Sequence, residues 1–374
     1  MYGSDIRREL HMHPELGFDL PYTTGVVRRE LTKLGIPFTE KYGKSSITAY
    51  LNGDRSGKYI AIRADMDALP ITEMNGVPYR SLNEGRMHAC GHDVHTAILL
   101  DTARKLLPLT DRIARPVKLI FQAAEEYSAG AKLMVEDGVL DDVEEALSVH
   151  VNPSEVGSVQ FIYGAANSAC ASLTLRFLGK GVHSSMQENG ADAILMAANA
   201  LNSIESYFSK RVPAEVPLIF NAGKIEGGSA GNIIADRCTV TCHIRSWNDE
   251  ILEKALGDIR EIAQSSARIF GGSAVMEDVI FTPTMMHEKQ VTDRLRSAAE
   301  QVLGPKQITV ISRVMSSEDF AFFSQKVPAC MLCLSAGNKE RGITSPVHTN
   351  TFDVDEKCID LGSDIFVRYL LDRE

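Results

Sequence analysis

No apolar run in this chain is long enough to span a membrane, which argues against a helical membrane protein. Basic residues are in deficit: 39 Lys and Arg against 49 Asp and Glu leave a net charge of −10. Nucleic acid is thereby excluded as the main partner, since phosphates need a basic surface. Cysteine is sparse and odd in number, seven over 374 residues, so no disulfide framework is expected. The opening stretch MYGSDIRRELHMHPELGF lacks the apolar core and small-residue cleavage site of a secretory signal. Low-complexity tracts are missing too. Together these absences predict a reduced, cytoplasmic protein whose partners include neither membrane nor nucleic acid.

What is present is the make-up of an ordinary globular protein, 44% apolar and 24% charged, on a chain too long for a single core. The first 150 residues alternate amphipathic helices (DIRRELHMH, TTGVVRRELTKLG, DVHTAILLDTARKLL) with dense apolar strands (KYIAIRAD, VKLIFQAA, EALSVHV). That alternation predicts an α/β fold with a mostly parallel central sheet covered by helices. Near residue 168 the pattern changes to β-α-β-β-α-β: ASLTLRFLG, a long helix after Gly190, VPLIFNAGKI, RCTVTCHIRS, DEILEKALGDIREIAQSSARIF and SAVMEDVIF. This is a ferredoxin-like unit, complete in itself, and is expected as an inserted domain over 168–282. The first domain, 1–167, resumes over 283–374 with helices VTDRLRSAAEQVLG and EDFAFFSQKV, strands ITVIS and PACMLCLSAG, and a closing helix DEKCIDLGSDIFVRYLLDRE.

Metal-type side chains fall where those strands end. KYIAIR runs into Asp65 and Asp67, VKLIFQAA into Glu125 and Glu126, and EALSV into His150. PACMLCLSAG precedes a loop holding His348, and Cys90 and His92 stand just ahead of a helix. Any one of them has an ordinary explanation, a hydrogen-bonded histidine or a solvated turn. Their joint placement at carboxyl strand ends, where open α/β sheets bind ligands, points to a metal site. A thiolate, imidazoles and a carboxylate suit Zn²⁺, Mn²⁺ or a similar ion. Cys90 and His92, one residue apart, can aim at one point, and Glu126, His150 and His348 are available to complete the set. The other glutamate can act as general base on water, and Asp65 or Asp67 can orient a ligand imidazole.

The segments LHMHPELGF, RADMDALPI, EGRMHACGHDVHT, FQAAEE, GKGVHSS, SSEDF and SPVHTNTFDVDE occur in the order seen in peptidase family M20, and the chain resembles its amidohydrolase branch from residue 10 to 356. That branch includes hippurate hydrolases, N-acyl-amino-acid deacylases and auxin-conjugate hydrolases. The resemblance implies two divalent metal ions per subunit (Mn, Zn, Co or Ni) held by Cys90, His92, Glu126, His150 and His348. It makes Glu125 the proton shuttle, with Asp67 and Asp65 as carboxylates behind the ligands. His183 would stabilise the oxyanion from a lid domain, and Asn232 and Arg245 would meet the substrate carboxylate. The implied reaction is hydrolysis of a small-molecule N-acyl amino acid to a carboxylic acid and a free amino acid. A homodimer through the lid domain is implied as well. A dipeptidase or carboxypeptidase on the same site, and a silent relative that binds metal and conjugates without turnover, are the alternatives.

The chain departs from that pattern beside His183, where Met186-Gln187 replaces a common Pro-His and Val182 a common glycine. The acyl preference is therefore left open. Cys330 and Cys333 have a redox spacing but lie inside an apolar strand, facing opposite ways. Cys238 and Cys242 share a strand face as packing residues. His11 and His13 are expected to cap and pack the first helix, His88 to be structural, and Asp93 and His95 to start the helix after the HACGHD motif. The glycines 227, 228 and 231 lack the lysine and the strand-to-helix setting of a phosphate loop.

Overall fold

Dense apolar strands set the frame in the computed structural model, which describes residues 1–372. Arg373 and Glu374, the end of the expected closing helix, lie outside the described residues. The chain divides into two compact units, one of residues 1–166, 285–313 and 318–374, the other of 167–284 and 314–317. No helix among the described residues is long and apolar enough to cross a membrane.

The larger unit opens with α1 (Tyr2–Met12), α2 (Pro21–Leu34), β1 (Phe38–Thr39), β2 (Ile47–Leu51) and β3 (Tyr59–Asp65). Then come α3 (His92–Leu106), β4 (Val117–Gln122), α4 (Gly130–Glu136), β5 (Val143–Glu155), β6 (Val159–Phe161) and β7 (Gly164–Asn167). The smaller unit is β8 (Ala169–Leu178), α5 (Ala193–Arg211), β9 (Leu218–Gly227), β10 (Arg237–Ser246), α6 (Asp249–Ile269) and β11 (Ser273–Thr282). The chain returns through β12 (Met285–His287), α7 (Lys289–Leu303), β13 (Ile308–Val310), α8 (Ala321–Ser324), β14 (Ala329–Gly337) and α9 (Lys357–Leu371).

The large sheet runs β1-β2-β4-β3-β5-β14-β6-β13, and its centre, β4-β3-β5-β14, is parallel throughout. Period-two alternation assigns residues to its faces. Ile60, Ile62 and Ala64 of β3 join the core under α3, α7 and α9, whereas Ala61 joins a second core with α4 and α8. Both faces are thus covered, which explains the nearly unbroken apolar sequence of the central strands. Cys330 and Cys333 lie in the first and second core respectively, on opposite faces of β14. The smaller unit is a four-stranded antiparallel sheet in the order β11-β8-β10-β9, as the split βαβ pattern demands. Its helices begin on side-chain caps: Asp192 accepts from the Ile194 and Leu195 amides, and Asn248 from that of Ile251.

Two elements differ from expectation. EDFAFFSQKV forms only one helical turn, α8, because Glu318 and Asp319 are drawn into ion pairs with buried Arg63. His150 is not strand-terminal, since β5 continues to Glu155 against β14. The pairing of β5 with β3 stops at Ser148, so His150 still lies past that neighbour's end.

Candidate functional site

The carboxyl ends of the four central parallel strands bring together residues from five segments of the larger unit. Gly91 makes the first turn. It holds φ 89°, and a Cβ there would lie 2.4 Å from Val151 Cγ2, so only glycine lets Cys90 and His92 cross β5 this closely. The next residue, Asp93, is buried and accepts from Arg7 Nε at 2.9 Å, and His11 Nδ1 stands 2.8 Å from the same oxygen. His11 also meets Glu73 at 3.3 Å, so it anchors the start of α3 to α1. Burial opposes the charge of Asp93, but Arg7 and His11 overcome it and hold this carboxyl far below the usual carboxylate range. His88 is buried and held neutral by that burial, its pKa pushed down to about 3.

Glu125 and Glu126 follow β4 on a turn in which Ala124 adopts φ 57°, a left-handed strain characteristic of functional turns. Asp67 pins that turn, accepting the Glu125 amide at 2.9 Å and the Glu126 amide at 3.2 Å. The same carboxylate stands 3.5 Å from His92 Nδ1, which leaves Nε2 facing the cluster. His348 also sits at positive φ, 62°, and its amide donates to Ala89 O at 2.7 Å, tying the last loop to the Cys90 turn. His150 donates from Nδ1 to Val151 O at 2.8 Å, leaving Nε2 as its free electron pair.

Cys90 Sγ is 3.4 Å from His150 Nε2 and 3.2 Å from His348 Nε2. Glu126 Oε1 is 3.7 Å from His348 Nε2 and 3.9 Å from His92 Nε2, and makes no hydrogen bond although buried. His92 Nε2 is likewise buried and unbonded. Two donors each about 2.1 Å from one tetrahedral ion stand about 3.4 Å apart, so these spacings and the orphaned atoms suit a shared cation. Cys90 belongs both to the group with His92 and His150 and to the group with Glu126 and His348.

Charge gives the same reading. Asp65, Asp67, Glu125, Glu126, Glu318 and Asp319 surround the cluster, against the buried guanidinium of Arg63. Burial, then the neighbouring Glu318, Glu126 and Asp319, raises Glu125 well above an ordinary carboxyl. Burial pushes Glu126 up to about 7 and the Cys90 thiol well above its usual range. The His150 imidazole is driven down to about 4, again by burial, and is neutral at pH 7.

Asp65 stands behind the cluster. It takes Arg63 Nη1 at 2.6 Å and His95 Nδ1 at 2.6 Å, and His95 Nε2 accepts the Val151 amide at 2.9 Å. Burial works against its charge, but His92, Arg63 and His95 outweigh burial and keep it ionised. Arg63, Gln122, Glu318 and Asp319 were not singled out in the sequence. The RAD, FQAAEE and SSEDF segments contained them without any local sign of a role.

His183, Asn232 and Arg245 belong to the smaller unit. His183 is exposed and caps a short turn, accepting the Ser185 amide at Nδ1 (3.2 Å), so Nε2 carries the proton. The Asn232 carbonyl accepts the Ser184 amide at 3.0 Å, next to the bridge between His183 and Ile233. Arg245 donates to Met315 O at 2.8 Å.

Residues 61–372 match the model of peptidase family M20/M25/M40. An IAA-amino acid hydrolase ILR1-like protein of Arabidopsis thaliana is 30% identical over 98% of this chain and 85% of its own length. An N-acetyl-L-cysteine deacetylase of Bacillus subtilis is 33% identical over 86% and 77%, and a thermostable carboxypeptidase of Saccharolobus solfataricus 33% over 96% and 92%. Among solved structures, a dinuclear metal binding M20 peptidase of Bacillus subtilis superposes with a TM-score of 0.80 at 26% identity, covering 99% of this chain and 96% of that one. With its donor cluster at the carboxyl edge of the sheet, the chain belongs to peptidase family M20/M25/M40 and is a metal-dependent amidohydrolase.

Proposed function

We propose that the protein hydrolyses the amide bond of N-acyl amino acids, releasing a carboxylic acid and a free amino acid. The observation that carries this reading is Glu125, a carboxyl only 12% exposed, fixed through its amide by Asp67 and standing 4.0 Å from His92 Nε2 beside the donor cluster. In this proposal Cys90, His92, Glu126, His150 and His348 would hold two divalent ions of Mn, Zn, Co or Ni. Such ions, when bound, polarise the amide carbonyl and make water acidic enough to deprotonate near neutral pH.

The chain's own groups do the rest. Glu125 Oε1 receives the Asp319 amide at 3.4 Å, so Oε2, on the side of His92, is the oxygen that handles protons. It takes the proton from the attacking water and passes it to the departing amine nitrogen. A site that raises its proton affinity suits holding that proton between the two steps. Asp67 keeps the Glu125–Glu126 turn and His92 in register. The proposal assigns His183 Nε2–H to the developing oxyanion, and Asn232 and Arg245 to the carboxylate of the amino-acid moiety. It extends to a reducing, cytoplasmic setting, which the seven free thiols support.

A panel of N-acetyl and N-benzoyl amino acids against dipeptides, run with metal content measured on the same sample, tests the reading. Turnover of the acylated amino acids should dominate and be lost in Glu125→Gln while metal stays bound. Near-normal activity in that variant would overturn the role of Glu125. Preference for dipeptides would move the assignment to a peptidase, as the carboxypeptidase relative suggests. Metal without turnover on any member would leave a binding protein.

A further inference from the structure

Arg63 has no part in the reaction described so far, yet its whole guanidinium is committed around the site. It lies on β3 two residues before Asp65, on the same face, with no solvent exposure. Nη1 donates to Asp65 Oδ2 at 2.6 Å, Nε to Gln122 Oε1 at 2.8 Å, and Nη2 to Asp319 Oδ1 at 2.6 Å, with Glu318 Oε1 at 3.1 Å.

We infer that Arg63 is a positioning residue for Glu125: it immobilises Asp319, whose backbone N–H occupies Glu125 Oε1 and leaves Oε2 as the working oxygen. The inference rests on the proposed role of Glu125 and deepens it. Asp319 is held from every side. Its carboxylate takes Arg63, both contacts of Gln122 Nε2 (2.9 and 2.8 Å) and the Ala131 amide at 2.9 Å. A residue so bound cannot rotate without breaking several charge-assisted hydrogen bonds, so its amide is a fixed donor at 3.4 Å from Glu125. The other end of the same guanidinium holds Asp65, whose second oxygen orients His95 against β5. One planar group thereby links Asp65 to the residue whose backbone N–H fixes the proton-handling carboxylate. Lysine cannot copy it, because a point charge cannot serve Asp65, Gln122 and Asp319 in one plane. A fold-stabilising ion pair alone would not need a fork that reaches both sides of the site.

The test is Arg63→Lys, with Asp319→Asn as a second variant, in the full chain. Metal affinity is read by calorimetric titration with Mn²⁺, kinetics on an N-acyl amino acid, and amide exchange by mass spectrometry on the metal-free protein. Both variants should bind Mn²⁺ and show KM within about threefold of wild type while kcat falls by about 100-fold, the size expected from misplacing one reacting group. Exchange should accelerate over 122–131 and 318–324 and stay unchanged over 96–106. Wild-type kcat in folded Arg63→Lys, or a joint loss of Mn²⁺ affinity and rise in KM, would overturn the inference. Should Arg63→Lys fail to fold, Asp319→Asn decides by the same readings. If wild-type protein cleaves neither N-acyl amino acids nor dipeptides, the functional reading falls, and exchange alone then judges the positioning: unchanged rates over 122–131 would sink it.

Discussion

Asp67 offers a sharp test of how the site is built, because it touches His92, a proposed ligand, and the glutamate turn at once. Its two oxygens accept the Glu125 and Glu126 amides at 2.9 and 3.2 Å, and Oδ1 also stands 3.5 Å from His92 Nδ1. Asp67→Asn keeps the shape and the volume. It leaves one carbonyl oxygen to accept and turns an NH₂ donor toward the second backbone N–H, which then has no acceptor. Hydrogen bonds to a charged acceptor are each worth about 1.5–3 kcal/mol, and a buried unsatisfied donor costs about 1–3 kcal/mol. Part of that cost is relieved by relaxation of the strained turn at Ala124, which moves Glu125 and Glu126 away from His92. Removing a group that orients a metal ligand typically weakens affinity or activity by about 10–100-fold. The expectation is therefore a Zn²⁺ or Mn²⁺ dissociation constant raised by about 10–100-fold, with kcat reduced at saturating metal because Glu125, the proposed base, is displaced as well. Calorimetric titration of metal-free protein and steady-state kinetics at several metal concentrations measure both. Wild-type affinity together with wild-type kcat would refute the role of Asp67 in holding the turn and the ligand.

Two further outcomes follow from buried contacts. His287 is buried with Nδ1–H donating to Ile162 O at 2.8 Å and Nε2 accepting the Met331 amide at 3.1 Å, and burial drives its pKa down to about 4 from an ordinary 6.5. The unfolded chain takes up this proton first as pH falls, so stability is intact above about pH 6.5 and declines toward pH 4, by on the order of 3 kcal/mol. His287→Asn keeps the donor to Ile162 and cannot titrate. Its deficit in urea unfolding free energy should shrink between pH 7 and 4.5, and parallel curves would contradict the assignment. At Gly130 an added Cβ would stand 1.7 Å from Ala123 O, so Gly130→Ala must displace the turn carrying Glu125 and Glu126. A loss of about 1–3 kcal/mol in stability and a kcat drop of more than about 10-fold should be seen by thermal unfolding and kinetics; an unchanged kcat would show that the turn tolerates movement.

Much of this architecture could be read from local pattern. The dense apolar strands pointed to a sheet buried on both faces, and the β-α-β-β-α-β order to a ferredoxin-like unit. Periodicity reports burial, and burial is a local consequence of which face meets the core. EDFAFFSQKV is the instructive exception. Its apolar spacing is helical, yet Glu318 and Asp319 are claimed by Arg63, some 250 residues earlier in sequence, and the helix is reduced to one turn. Propensity is a weak preference that a buried charge pair easily outweighs.

The sequence by itself determined the chemistry on offer: a thiol, imidazoles and carboxylates at strand ends, an acidic chain, and the ordered motifs that carry a resemblance over most of its length. Only the tertiary structure decided which of those groups meet. The parallel register of β4, β3, β5 and β14 places Cys90 Sγ within 3.4 Å of His150 and His348, and leaves His92 Nε2 and Glu126 Oε1 without protein partners. It also divided the two aspartates, giving Asp65 to Arg63 and His95 and Asp67 to the glutamate turn. Residue identity is local, but a hydrogen bond between strands depends on register, turn geometry and loop closure across the whole sheet, and none of these is encoded in a short window of sequence.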